Sequence, residues 1–158
     1  SQYNSTNPNL GEWRDSALRY YISDTICNAF PSELQNVISL TKVITGRGNS
    51  DSSNFETEDK LYLLSSEEIY NDFNSSSNAQ WDTARTTTKQ LDYYKKEGVA
   101  ISNQSKAIKQ YNKNSQHWWL RTARSDSNST FLRVNEYGSL FTDVASTSYG
   151  ISPAFRIG

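Results

Sequence analysis

The C-terminal third of the chain alternates short apolar or aromatic runs with Ser, Asn, Asp and Gly, a pattern that predicts strands joined by turns. The runs 130–134 and 139–144 are close enough to pair as a hairpin, and Gly138 can adopt the positive φ that such a turn needs. The final run, 151–157, contains Pro153, which has no N–H for a ladder hydrogen bond. This last strand is therefore predicted to lie at a sheet edge or to begin at Pro153.

The N-terminal segment has helical spacing instead. Asn9 and Glu12 resemble a capping box at the start of a first amphipathic helix. The apolar residues of this helix recur at helical spacing: Trp13, Ala17, Leu18, Tyr21 and Ile22. A second short helix is predicted after Pro31, with three residues facing inward: Leu34, Val37 and Ile38. Residues 39–45 are strand-like, and the polar residues 1–8 are expected to form a loose arm.

The middle of the chain is predicted to mix loops, one buried strand and short helices. Residues 46–58 form a polar loop, and the apolar run 61–64 is a strand buried on both faces. Ser65 and Glu68 have the spacing of a capping box, which predicts a helix with Ile69 and Phe73 inward. After a loop at 74–82, helices are predicted over 86–97, ending at Gly98, and over 105–111.

These elements predict one α+β domain over residues 1–158, in which N-terminal helices cover short antiparallel strands from the C-terminal third. The hydrophobic content of 35% and the mean hydropathy of -0.76 are low for a compact domain. The 4 Trp, 10 Tyr and 6 Phe supply the missing bulk. We therefore expect an aromatic core.

Charge and cysteine content narrow the classes of function. A net charge of -1 gives no electrostatic reason to expect nucleic acid or an anionic membrane as partner. No apolar run approaches the ~20 residues of a membrane span, and no signal peptide is visible. The single cysteine, Cys27, excludes an internal disulfide and a cysteine-based metal cluster. The lack of disulfides indicates a bacterial protein, either in the cytosol or on the exterior of an anaerobe. The abundant Ser, Asn and Thr are frequent in exported surface proteins and favour an extracellular or cell-surface location.

Three C-terminal motifs resemble a family of uncharacterised bacterial domains from anaerobic Firmicutes and their phages: W-W-L-R at 118–121, F-x-x-V-x-x-x-G at 131–138 and G-I-S-P-A-F-R-I-G at 150–158. Two upstream motifs match in the same order, W-R-D-S-A-L-R at 13–19 and D-K-L-Y-L-L-S-S-E-E at 59–68. The resemblance marks five residues as structural: Trp118, Trp119, Arg121, Phe155 and Arg156.

The chain departs from the family pattern in three places. Thr122 stands where Ser is usual, and Ser152 stands where many members carry Arg. The strand pair that the family places before its first helix has no counterpart before Trp13, and the chain contains no Met. The chain is therefore expected to be a fragment of a longer protein.

The family is similar to the C-type-lectin-like fold of formylglycine-generating enzymes and of the variable proteins of diversity-generating retroelements. In those variable proteins the ligand-binding residues fall in the corresponding C-terminal region. The resemblance therefore implies a C-type-lectin-like domain with its ligand surface on the C-terminal turns. The turns carry five candidate ligand-binding residues: Arg124, Asp126, Asn128, Tyr137 and Tyr149.

Catalytic and metal-binding alternatives have simpler explanations. Cys27 and His117 would form a nucleophile and base, but no third group is specified and Cys27 lies on an apolar helix face. Glu67 and Glu68 are explained by the capping box and the helix dipole. Acidic residues in and after the polar loop lack the spacing of a calcium loop: Asp51, Glu56, Glu58 and Asp59. We expect no catalytic residue, metal or cofactor.

Trp118 and Trp119 would point to opposite faces of a strand, which predicts that one is in the core and the other nearer the surface. Packing is a commoner role for such a pair than a platform for sugars. Arg121 and Arg156 are expected to fix loops by bidentate bonds or stacking.

The sequence therefore predicts a non-catalytic ligand-binding or adhesion module of a bacterial surface or phage-associated protein, with a protein or a glycan as partner. One alternative is an enzyme related to the formylglycine-generating group, whose oxidase members use two cysteines where this chain has one. Another is a purely architectural domain of a larger cell-surface protein.

Overall fold

The computed structural model describes residues 1–4 and 12–158. It is a small mixed α+β fold with short helices and antiparallel strands. The α-helices are α1 Glu12–Asp15, α2 Ala17–Tyr20, α3 Ser32–Val37 and α4 Asp92–Lys96. A π-helix covers Tyr21–Ile26, and 3-10 turns cover Phe73–Ser75, Ala79–Trp81 and Ser105–Ala107. The strands are β1 Ile38–Ser39, β2 Thr41–Gly46, β3 Asn54–Asp59, β4 Lys109–Tyr111, β5 Asn114–Gln116, β6 Trp118–Ala123, β7 Thr130–Val134, β8 Leu140–Val144 and β9 Arg156–Ile157.

The C-terminal third forms an antiparallel sheet in the order β6-β7-β8, and the predicted hairpin is β7 with β8. Its turn requires glycine, because Gly138 has a φ of +83 and an added Cβ would lie 2.1 Å from the carbonyl oxygen of Gln104. Asn135 completes the turn, since its Oδ1 accepts hydrogen bonds from the N–H groups of Tyr137 and Ser139, both at 2.9 Å.

Both faces of β6 are covered, since all six of its residues are buried. Trp118 is 1% exposed and Trp119 is 0% exposed. The prediction that one of them lies nearer the surface is therefore wrong. Trp119 packs against Tyr3, whose ring stacks on Phe131 with centroids 3.6 Å apart. Trp118 lies on the opposite face and donates from Nε1 to the carbonyl oxygen of Ala107.

The first four residues are part of this core. Tyr3 is fully buried, its N–H donates to the carbonyl oxygen of Ala145, and Gln2 forms a β-bridge with Ser148. The expectation of a loose arm is wrong for residues 1–4, because an aromatic residue in a polar segment supplies the cover for one sheet face. Residues 5–8 of the predicted arm, and Asn9 of the predicted capping box, lie outside the described residues.

The predicted polar loop 46–58 is wrong in its second half, where β3 pairs with β2 from Asn54 to Asp59. Its buried positions are Phe55, Thr57 and Asp59. Two of these are polar, so the alternation of strand burial does not appear as alternating hydrophobicity. Asp59 is compensated by hydrogen bonds from Trp13 Nε1 and Arg19 Nε, at 2.9 and 2.8 Å.

The predicted first helix is divided at Ser16, which caps α2 by accepting from the N–H of Arg19. Residues 65–72 form turns rather than the predicted helix, although the Ser65 N–H donates to Glu68 Oε2 as in a capping box. The helix predicted over 86–97 is reduced to α4, and Gly98 follows it with φ +67. The segment 105–111 ends in β4, not in a helix.

Short pairings close the rest of the structure. Residues 61–64 are buried as predicted; Tyr62 forms a bridge with Ala154, and the carbonyl oxygen of Leu64 accepts from the N–H of Arg121. The last strand, β9, begins after Pro153 and pairs with β1. Val37, predicted to face inward, is 42% exposed because α3 ends there and the chain turns into β1.

Candidate functional site

The five predicted ligand-binding residues lie in two groups at opposite ends of the C-terminal sheet. Arg124, Asp126 and Asn128 follow the end of β6. Tyr137 follows β7, and Tyr149 precedes Gly150, which bridges to Trp118 at the start of β6. Because β6 and β7 are antiparallel, these two positions share the other end of the sheet. The structure therefore does not assemble the five residues into one surface.

In the first group, the charged side chains are already paired. Arg124 donates from Nε and Nη2 to the Asp126 carboxylate at 2.5 and 3.0 Å, and its guanidinium lies 4.6 Å from the ring centroid of Trp81. The hydrogen bond from Arg124 lowers the pKa of Asp126. The backbone of this loop is also fixed, since the N–H of Asn49 donates to the carbonyl oxygen of Ser127 at 2.7 Å. The charged groups at this end are therefore already bonded within the protein, and Asn128 is exposed.

In the second group, Tyr149 belongs to a set of interacting polar side chains that we call the Arg133 cluster. Its other members are His117, Arg133, Glu136 and Asp143. Arg133 Nη1 lies 2.8 Å from His117 Nδ1, and His117 Nε2 lies 3.0 Å from the Glu136 carboxylate. An arginine can only donate, so Nδ1 accepts and Nε2 carries the proton that is donated to Glu136. The Arg133 guanidinium lies 4.8 Å from the Tyr149 ring centroid.

Tyr149 is also fixed at its hydroxyl, which donates to the Asp143 carboxylate. Burial raises the pKa of Asp143, but hydrogen bonds from Tyr149 and from the Val144 N–H and the charge of Arg133 outweigh it, so the pKa falls below its usual range. Burial and the bond to Asp143 raise the pKa of Tyr149. Its ring contacts His117 and Trp119, both at 5.0 Å between centroids. Contacts with His117, Trp119 and Asp143 therefore fix the orientation of the Tyr149 ring.

The other side of Tyr149 forms the wall of a groove of about 620 Å³, which we call the tyrosine groove. It lies between the β4–β5 hairpin, the π-helix and the segment 149–151. Tyr111 and Tyr21 are 71% and 45% exposed on its rim. It is lined by Ser1, Tyr21, Lys109, Gln110, Tyr111, Gln116, Trp118, Tyr149, Gly150 and Ile151.

Two local features shape the groove. The β4–β5 hairpin turns through Asn112 and Lys113, which have φ values of 50 and 67, as a two-residue primed turn requires. On the opposite wall, the Gly150 N–H donates to the carbonyl oxygen of His117 at 2.9 Å. A Cβ on Gly150 would lie 3.0 Å from that oxygen, so the close approach of this segment to the sheet favours glycine.

Sequence reasoning found Tyr149 and missed the rest of the groove. Tyr21 has helical spacing with the core residue Leu18 and was predicted to face inward, whereas the π-helix turns it outward. Tyr111 and Lys109 fall in the segment predicted as a helix. The turn pair Asn112-Lys113 is not the Asn-Gly or Asp-Gly pair that signals a two-residue hairpin in a sequence.

Two other predicted residues, Arg121 and Phe155, have structural partners. Arg121 and Glu68 form an ion pair, each side chain 4% exposed, and Arg121 Nη1 also donates to the carbonyl oxygen of Leu63. Phe155 contacts the Phe30 ring, and Arg156 is exposed beside a cavity of about 250 Å³ that Arg121 also lines.

The residues considered for catalysis and metal binding do not converge. Cys27 is buried in the core, and both ring nitrogens of His117 contact Arg133 and Glu136. Asp51 accepts hydrogen bonds from Ser53, Glu56 pairs with Lys42, and Asp59 is buried at the end of β3. Within residues 1–4 and 12–158, no group of three or more His, Cys, Asp or Glu side chains is placed to hold a metal ion.

Glu67 is a buried acid with an incomplete set of hydrogen bonds. Its Oε1 accepts from the Thr86 N–H at 3.0 Å and from Asn74 Nδ2 at 3.3 Å, while Oε2 has no partner in the described part of the chain. Burial raises the pKa of Glu67, and the nearby carboxylate of Asp82 acts in the same direction. A carboxyl group whose pKa is raised by folding stabilises the fold at low pH and loses that contribution as pH rises through the folded pKa.

We therefore expect Glu67→Gln to gain stability relative to the parent between pH 4 and pH 8, because the amide stays neutral as the parent carboxylate ionises. Urea unfolding at both pH values measures this difference. Glu56→Gln is the control, since Glu56 is 59% exposed and should show no such gain. An equal stability difference for Glu67→Gln at both pH values would contradict the expectation.

Comparison with known proteins gave one match. A family described as "Domain of unknown function (DUF6273)" matches residues 1–158. The comparisons with curated proteins and with solved structures gave no match. In the part of the chain that the structure describes, no helix has both the length and the apolar character needed to cross a membrane.

Proposed function

Because the chain belongs to the DUF6273 family of domains of unknown function, its activity has to be inferred from its surface, and we propose that it is a non-catalytic module that binds a carbohydrate in the tyrosine groove. The observation that carries this proposal is the groove itself, which places exposed tyrosine rings beside amide side chains in one cavity of about 620 Å³.

The chemistry of the lining suits a saccharide. The apolar C–H faces of a pyranose ring pack on aromatic rings, and Tyr21, Tyr111 and Tyr149 present such rings around the groove. A glutamine amide both donates and accepts, which matches the paired hydroxyls of a sugar, and Gln116, the strand partner of Lys109, supplies such an amide in the groove. A groove of this kind offers contact area and hydrogen bonds together.

The groove is also organised before a ligand arrives. Tyr149 is fixed by His117, Trp119 and Asp143, so its ring loses little conformational freedom on binding. The β4–β5 hairpin keeps Gln110 and Tyr111 on a paired strand rather than on an open loop. Residues on rigid elements give a binding site its affinity and its specificity.

The setting of this function is a bacterial surface or phage-associated protein outside the cell, as the motif resemblance implies. A C-type-lectin-like fold is part of the same proposal. It is supported by the short antiparallel strands of the C-terminal third and by the N-terminal segments that cover them.

The double variant Tyr21→Ala/Tyr111→Ala tests the site. We expect its affinity for the saccharide selected on a glycan array to fall at least about tenfold, which corresponds to about 1.4 kcal/mol. The melting temperature should stay within a few degrees of the parent, because both rings are exposed. Isothermal titration calorimetry measures the affinity.

Two control variants locate the site. Tyr93→Ala/Tyr137→Ala removes two rings that are 58% and 67% exposed outside the groove and should bind like the parent. Arg124→Ala/Asp126→Ala/Asn128→Ala alters the other end of the sheet and should also bind like the parent. Loss of binding in this triple variant, with full binding in Tyr21→Ala/Tyr111→Ala, would move the site to the loop after β6.

A further inference from the structure

We propose that the saccharide bound in the tyrosine groove is acidic, and that its carboxylate or sulfate pairs with Lys109. This inference rests on the proposed function and adds to it the charge of the ligand. It follows from the position of one ammonium group in the wall of the groove.

Lys109 lies at the start of β4, is only partly exposed, and lines the groove together with Trp118. Its Nζ is 5.6 Å from the ring centroid of Tyr94 and 5.6 Å from that of Trp118. The two rings hold the ammonium group at the cavity through cation–π contacts. They do not neutralise its charge.

Among residues 1–4 and 12–158, the lysines that form ion pairs are Lys42 and Lys106, so Lys109 has no carboxylate partner. Lys42 pairs with Glu56, and Lys106 pairs with Glu97. Burial lowers the pKa of Lys109, as expected for an ammonium group that has lost water without gaining an anion. The groove therefore contains a partly desolvated positive charge.

The described residues that line the groove include no acidic side chain. A ligand anion would therefore meet the charge of Lys109 without repulsion from the same surface. Because the ammonium group is already partly desolvated, much of the cost of forming the ion pair has been met during folding. The surrounding tyrosine rings and the Gln116 amide favour a saccharide as the carrier of that anion, because the rings can pack on its C–H faces and the amide can bond its hydroxyls.

The test uses a panel of oligosaccharides in matched pairs: uronate and sialate oligosaccharides with their methyl esters, and sulfated oligosaccharides with their desulfated forms. The parent protein should prefer the acidic member of at least one pair by tenfold or more, and this preference should decrease as ionic strength rises. The carboxylated and sulfated arms identify which acid is recognised.

Lys109→Gln should lose the preference and bind both members of the pair alike, whereas Lys109→Arg should retain it. Lys106→Gln removes an equal charge outside the groove and should behave like the parent. The melting temperature of each variant is measured beside its affinity, so that a loss of binding caused by misfolding is recognised.

Three other results would contradict the role of Lys109, the acidity of the ligand or the proposed function. Equal binding of acidic and neutral members by the parent overturns the inference and leaves the proposed function in place. A preference that persists in Lys109→Gln overturns the role of Lys109. Binding of acidic peptides, with no saccharide of the panel bound, overturns both the inference and the proposed function, as does a panel on which nothing binds.

Discussion

Replacing Trp119 with Ala is expected to destabilise the fold by about 3–5 kcal/mol, enough to unfold a domain of ordinary stability. The ring is fully buried between Tyr3 and Tyr149, and its Nε1 donates to the carbonyl oxygen of Ser1 at 3.0 Å. Truncation therefore opens a cavity between the sheet and the N-terminal residues and also removes a hydrogen bond that holds them. Denaturant unfolding monitored by circular dichroism measures the loss.

Trp81→Ala is the matched control, because Trp81 is only partly buried and its ring contacts the Arg124 side chain at the surface. It should cost clearly less than Trp119→Ala. The two variants would be equally stable if β6 were covered on one face only, which would contradict the packing of residues 1–4 against the sheet. Because Trp119 also supports Tyr149, any remaining folded Trp119→Ala should bind saccharide more weakly than Trp81→Ala.

The parts of the fold that sequence predicted correctly are those specified by nearby residues. The β7–β8 hairpin is indicated by Gly138 between two apolar runs, and the end of α4 is indicated by Gly98. The parts it missed depend on distant partners. Strand β3 alternates exposed and buried positions, but two of its buried residues are polar. Burial of Asp59 depends on hydrogen bonds from Trp13 and Arg19, which are distant in the sequence.

The same distinction explains the outcome for the site. Tyr149 was found because it lies in a turn between strands, where binding residues are frequent. Tyr21 and Tyr111 are ninety positions apart in the sequence. They line the same groove because the π-helix and the β4–β5 hairpin both border it. Neither residue has a local pattern that distinguishes it from the other exposed tyrosines, such as Tyr20 and Tyr93.

The second large effect is expected for Arg121→Met, which should destabilise the fold by about 3–5 kcal/mol because it leaves the Glu68 carboxylate buried without its counter-ion. Both side chains are 4% exposed, so bulk water solvates the remaining carboxylate poorly. The variant also removes the N–H that donates to the carbonyl oxygen of Leu63 at 2.9 Å. Chemical denaturation at neutral pH measures the change in the free energy of unfolding.

A double-mutant cycle separates the ion pair from the other bonds of Arg121. In Arg121→Met/Glu68→Gln, the amide still accepts from the Ser65 N–H, as Glu68 Oε2 does at 2.8 Å, but no charge is buried. The double variant should therefore be more stable than Arg121→Met alone, with a coupling energy of about 1–3 kcal/mol. A double variant no more stable than Arg121→Met would show that the cost comes from the bond to Leu63 and the lost packing. The role of Arg121 would then be to fix the segment 61–64 against β6, and the charge of Glu68 would be incidental to it.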